Sequence, residues 1–276
     1  MINQLVEFFT YPFLQKAIVV GILVSLCSAL LGVSLVLKRY SMIGDGLSHI
    51  TFGALAISAA LNVTPLLFSI PIVIISAILL LRISQSGKLK GDSAIAIIAT
   101  SSLAIGVFIV SKSGSNTDLS NYLFGSILSI STFDTYFCIV LSVIVILLFI
   151  LFYHKIFAVT FDEAFAKATG IPVNFLNTLI AILTALTIVV GMRLMGTLLI
   201  SSLIIFSPIS AMRICKTFKG VVLASAIISV INFCVGLILS YLISSPTGST
   251  IVIVSLATLI ICCLISKLNI TKKDLK

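Results

Sequence analysis

Long uncharged stretches, separated by short polar breaks, organise this chain. Charge-free blocks run over 17–37, 46–81, 93–111, 135–153, 168–192, 194–212 and 220–266. A helix needs roughly 20 mostly apolar residues to cross a bilayer, so each block predicts at least one span. Two blocks are long enough to fold back. The first is broken by Asn62-Val63-Thr64-Pro65 and the second by Ser244-Ser245-Pro246-Thr247-Gly248-Ser249. Both breaks carry turn chemistry, since proline and glycine stop helices and Ser, Thr and Asn favour turns. The expectation is an all-α, polytopic transmembrane bundle with nine spans, or eight if 173–211 forms one broken helix. Ser207-Pro208 is expected to kink the span over 194–212.

Composition sharpens this picture. Hydrophobic residues make up 60% of the 276 and charged residues 9%, against roughly 45–50% and 25% in soluble proteins. With a mean hydropathy of +1.31, the bilayer is the solvent. The net charge of +9 does not make a nucleic-acid-binding face, because the basic residues fall in short loops. Fourteen of them, including Lys38, Arg39, Arg82, Lys155, Lys167, Arg213 and Lys216, fall in alternate loops and the C-terminal tail; Lys16, Lys112 and Arg193 fall on the other side. The positive-inside rule then predicts an outer N-terminus and a cytoplasmic C-terminus. Phe8, Phe9, Tyr11 and Phe13 suit an outer aromatic belt. The segment 112–133 is too apolar around Asn121–Leu128 for a plain loop and reads as half-inserted. Six cysteines without metal-ligand spacing read as inert buried thiols.

Two short stretches carry candidate chemistry. In Gly44-Asp45-Gly46-Leu47-Ser48-His49 a carboxylate and an imidazole stand four residues apart, one helical turn, at the head of an apolar run. Ionisable groups in membrane-spanning sequence point to function. Asp45 has a plainer reading as the N-cap of span two, and His49 as an interhelical hydrogen-bonding residue. Together, carboxylate and imidazole suit divalent zinc, manganese or ferrous iron. Two ligands are too few, but two copies meeting about a two-fold axis would supply two Asp and two His.

The second stretch runs from Thr160 to Pro172. Thr160 and Glu163 have capping-box spacing, acidic Asp162 and Glu163 suit the first helical turn, and Lys167 suits the last. Gly170 and Pro172 then stop the helix. A short helix over about 160–170 is predicted between two spans. Phe161, Phe165 and Ala168 are expected on one face, either docking into a partner's groove or packing on the protein's own surface. The chain has no phosphate-binding loop, the nearest candidate being Gly87-Lys88. Energy from ATP would therefore come from a separate chain. A secondary metal ion/proton transporter and an intramembrane enzyme using Asp45 and His49 as acid and base are the competing readings, with a structural scaffold behind them.

Several pieces together resemble the membrane permease subunits of zinc/manganese ABC importers. They are Pro12–Ala17, Val36–Arg39 with Ser41–His49, Leu123–Ile127, Phe161–Glu163 through Gly170-Ile171-Pro172, Gly196–Leu199 through Pro208, and Pro246-Thr247-Gly248. The resemblance spans nearly the whole chain and implies a single permease domain of the type II ABC importer kind in a bacterial inner membrane. It implies transported zinc or manganese with no resident cofactor. It also implies a second permease copy, ATP-binding subunits and an external metal-binding protein as partners. Asp45 and His49 would line the metal pathway, and Phe161, Asp162, Glu163, Ala164, Phe165 and Gly170 would belong to the helix that couples to the ATPase.

Overall fold

The computed structural model describes residues 12–86, 91–113, Gly125 and 132–274. The aromatic cluster at 8–11, the Gly87-Lys88 pair and most of the segment expected to be half-inserted lie outside the described residues. What is described is helical: α1 (Pro12–Leu37), α2 (Ser41–Ala60), α3 (Pro65–Ser86), α4 (Gly91–Ser113), α5 (Thr132–Leu151), α6 (Tyr153–Phe161), α7 (Glu163–Ala168), α8 (Val173–Ile214), α9 (Phe218–Ile243) and α10 (Thr247–Asp274). Eight segments are long and apolar enough to cross a membrane, counting the two halves of α8 separately.

The turns form where the polar breaks predict them, and three share one device. At Arg39, Asn62 and Ser244 a non-glycine residue takes a left-handed conformation, with φ of 60, 56 and 54°. In each, the next residue's N–H reaches back five residues, from Tyr40 to Leu35, Val63 to Ser58 and Ser245 to Ser240. This is Schellman closure, which satisfies carbonyls that the helix end would leave bare. Pro65 then opens α3, where its missing N–H costs nothing.

Helix α8 comprises 42 residues, about 63 Å if it were straight and twice a bilayer core. It is not straight. Gly196 has φ 80° and ψ 166°, the one non-helical residue inside it. A Cβ placed on Gly191 would lie 2.3 Å from Ile200 Cδ1, so the chain doubles back here. The two halves are separate candidate spans, which gives eight among the described residues. Pro208 sits within the second half, whose dihedrals remain helical. Because Pro208 has no N–H, the Ile204 carbonyl loses its helical donor. That carbonyl faces Gly32 of α1, where a Cβ would come within 2.3 Å.

Helix α1 and the first half of α8 are the most enclosed spans, and α10 is the least. Polar side chains knit the interior. Ser229 donates to the Ser25 carbonyl at 2.9 Å, and Thr258 donates to Asn232 Oδ1 at 2.8 Å, satisfying groups that hydrocarbon would leave unpaired. All six cysteines are free, and Cys27, Cys138 and Cys262 are buried.

Helix α2 differs from the other spans. It is 20 residues long, about 30 Å, yet it is absent from the eight apolar spans. Protein shields it instead. Thirteen of its residues are buried, against α3, α4 and α8. The approach to α4 is close because both sides lack bulk, and a Cβ on Gly106 would come within 2.8 Å of Gly53 Cα.

Candidate functional site

Asp45 is not the N-cap of span two. Helix α2 begins at Ser41 with Tyr40 preceding it and no side-chain cap, so Asp45 already lies one turn inside. The tight Lys38–Tyr40 turn starts the helix five residues earlier than a cap at Asp45 would require. Asp45 and His49 therefore stack on one face, with Nε2 of His49 3.8 Å from Oδ2 of Asp45. That is too long for a hydrogen bond, and it leaves room for an ion between them.

Their exposure sets them apart on this helix. The side chains are 35% open for His49 and 42% for Asp45, while Gly46–Ser48 and Ile50–Ala56 are buried. With exposed Met42 they form a strip that faces away from the chain's own bundle. The imidazole's Nδ1 is enclosed and finds no hydrogen-bond partner among the described residues. Nε2 is thus the nitrogen open beside the carboxylate. No group of three His, Cys, Asp or Glu side chains suited to an ion occurs among the described residues. Met192 is fully buried with Phe52, Leu55, Ala56 and Val110.

The stretch after α5 forms two short helices instead of one. Thr160 belongs to the last turn of α6, where its hydroxyl donates to the Ile156 carbonyl at 2.6 Å. The chain then extends at Asp162 (φ −148°, ψ 101°). Asp162 is the N-cap of α7 and accepts from the Phe165 N–H at 2.9 Å. The expected Thr160–Glu163 capping box is therefore corrected to an Asp162 cap, and the helix shortens to Glu163–Ala168. Aromatic packing explains why α6 runs on through Thr160: Phe157 and Phe161 stack with Phe218 of α9 at ring distances of 5.1 and 5.8 Å. Phe161 and Phe165 are both exposed, at 60% and 63%, but they come from different helices. Ala164 and Ala168 are exposed too, and Ala166 anchors α7 against Val159, Val173 and Leu176. Gly170 (φ 81°) closes α7, the Ile171 N–H reaching the Ala166 carbonyl at 3.0 Å. A shallow groove of about 630 Å³ beside it is lined by Ala164, Lys167, Ile171, Asn174 and Phe175 among others.

The Glu163 side chain, 45% exposed, reaches toward Lys38 and Asn177. Its Oε1 accepts from Lys38 Nζ at 2.7 Å and from Asn177 Nδ2 at 3.0 Å, and Lys38 also donates to Asn177 Oδ1. The Lys38 side chain is only 6% exposed. Burial pushes its ammonium below the usual lysine range, and the Glu163 carboxylate only partly opposes this. Burial pushes the Glu163 carboxyl up, but hydrogen bonds from Lys38 and Asn177 and the Lys38 charge hold it below the usual range. Sequence reading took Lys38 only as a topology signal. Spacing could not have found this cluster, because its members lie 125 and 139 residues apart.

The described residues form a helical membrane bundle with one largely buried helix, α2, and two short helices, α6 and α7, between candidate spans. Residues 10–266 match the ABC 3 transport family, and the chain belongs to that family. It is 30% identical to the manganese import system permease protein ScaB of Streptococcus gordonii, over 89% of this chain and 88% of that one. It is 32% identical to the high-affinity zinc uptake system membrane protein ZnuB of Haemophilus influenzae, over 89% and 94%. Its fold matches the solved structure of PsaBC from Streptococcus pneumoniae in complex with Fab, with a TM-score of 0.85 and 29% identity over 95% of each chain. The chain is a multi-pass membrane permease subunit of this family.

Proposed function

We propose that this chain carries manganese or zinc across the bacterial inner membrane as the permease of an ATP-driven importer. The observation that supports this most directly is the Asp45–His49 strip on α2. A carboxylate and an imidazole that face out of the bundle would be expensive in hydrocarbon, so their face belongs against protein or water. A second copy packed there would bring two Asp and two His together, enough to replace much of an ion's water while leaving the site open for release. Relatives named for manganese and for zinc support the same pair of ions.

The remaining parts follow from this reading. An external metal-binding protein delivers the ion, and hydrolysis takes place on separate ATP-binding subunits. Those subunits dock at Phe161, Asp162, Ala164, Phe165 and Gly170, with the groove beside α7 receiving part of the contact, while Glu163 of the same stretch pairs with Lys38 and Asn177. The basic loops put this end and the C-terminus in the cytoplasm. The whole chain acts as one permease domain.

The test is uptake of radiolabelled manganese and zinc by cells that depend on this chain. Asp45→Asn and His49→Ala should each reduce uptake by about tenfold or more, with the chain still present in the membrane. Unchanged uptake of both ions would overturn the reading.

A further inference from the structure

Lys38 occupies an unusual position for a lysine. Its side chain is 6% exposed, and a buried ammonium is tolerated only when fully paired. Its partners are the first residue of α7, Glu163, and Asn177 near the start of α8, which also bond to each other. The three side chains close a ring, so none can shift alone without stranding a buried polar group. Tyr40 joins the same corner, where its hydroxyl meets Gln85 of α3 and feels the Glu163 charge.

Lys38 also begins the three-residue turn between α1 and α2. That turn is closed by backbone bonds from Lys38 to Ser34, Tyr40 to Leu35 and Ile43 to Tyr40, at 2.8–3.1 Å. Little slack therefore separates the ammonium from the start of α2. Asp45 follows seven residues on, one turn into α2 and about 6 Å along the helix from Ser41. One ion pair thus joins the short surface helix α7 to the base of the helix that carries the candidate metal ligands.

We propose that the Lys38–Glu163–Asn177 ring is the joint through which movement of α7 reaches α2 and the Asp45–His49 pair. The proposal rests on the functional reading above, in which α7 docks the ATPase. In this joint the Glu163 carboxylate acts inward as a positioning residue and does not contact the ATPase. A staple that merely holds the fold would change how much protein is made but not how many ions cross per ATP.

The experiment purifies the full chain with its copurifying ATP-binding subunit, reconstitutes the complex and measures manganese uptake per ATP hydrolysed. Glu163→Gln keeps the shape but weakens the pair, and Lys38→Met removes the buried charge while leaving Glu163 reachable by water. In both, the ATP-binding subunit should still copurify and ATP hydrolysis should persist, while ions moved per ATP fall about tenfold. Exchanging the partners, Lys38→Glu with Glu163→Lys, should recover at least about half of the lost ratio. A ratio within about twofold of the unaltered complex in either single variant would overturn the joint. Loss of copurification would overturn it also, by placing Glu163 in the docking contact. If the unaltered chain captures no ATP-binding subunit at all, the functional reading fails and the joint with it.

Discussion

Gly196 turns one 42-residue helix into two spans, and its backbone makes it the most demanding position in the chain. Its φ of 80° and ψ of 166° lie in a region essentially reserved for glycine, where any side chain costs about 3 kcal/mol. Asparagine, which tolerates the left-handed helical region, gains nothing here because ψ is extended. Replacing Gly196 by Ala should therefore shift the folding equilibrium on the order of a hundredfold, and Gly196→Asn should be as harmful. Gly170 provides the internal control. It too has positive φ, 81°, but it closes a Schellman turn and a Cβ there meets nothing within 4 Å. Gly170→Ala should cost about 1 kcal/mol, and Gly170→Asn only a few tenths, on the order of 0.3 kcal/mol. The assay is unfolding in mixed micelles, followed by loss of helical signal for all four variants. Gly196→Asn behaving like Gly170→Asn would refute the reasoning. So would a Gly196→Ala protein within about 0.5 kcal/mol of the parent, since the hairpin would then not depend on that dihedral pair. Gly125 is constrained at the same corner, since a Cβ there would meet the Met195 backbone at 2.4 Å.

Capping and pH behaviour are open to equally direct checks. Asp162→Ala should weaken α7 by about 1 kcal/mol. Thr160→Val, which removes only a hydroxyl bonded within its own helix, should leave the protease sensitivity of the Asp162 corner unchanged; the reverse order would restore the Thr160–Glu163 capping box. Because the Glu163 carboxyl is held below its ordinary value, it contributes stability that is fully present above that ordinary value and is lost as pH falls through the lowered one. Thermal stability should therefore drop on acidification through the carboxylate range, and Glu163→Gln should flatten that part of the profile. An unaltered profile in Glu163→Gln would show that other carboxylates govern the loss.

Much of this protein was determined by local sequence. Runs of apolar residues long enough to span a bilayer leave no alternative to helices, because an unpaired peptide group in hydrocarbon costs several kcal/mol. Asn62–Pro65 and Ser244–Ser249 stop helices by their own backbone preferences, and one-turn spacing puts Asp45 and His49 on one face in any helix. The family resemblance was legible for the same reason, since its motifs are contiguous. Tertiary structure decided what depends on distant partners. Whether Thr160 starts a helix or ends one was settled by Phe218, some sixty residues away, whose ring holds α6 helical past the cap that spacing suggests. That α2 sits buried despite its polar residues follows from the shielding by α3, α4 and α8. Lys38 became a buried partner of Glu163 and Asn177 only when the end of α1 met the start of α8. Electrostatic pairing acts through space, and one-dimensional order carries no measure of that distance.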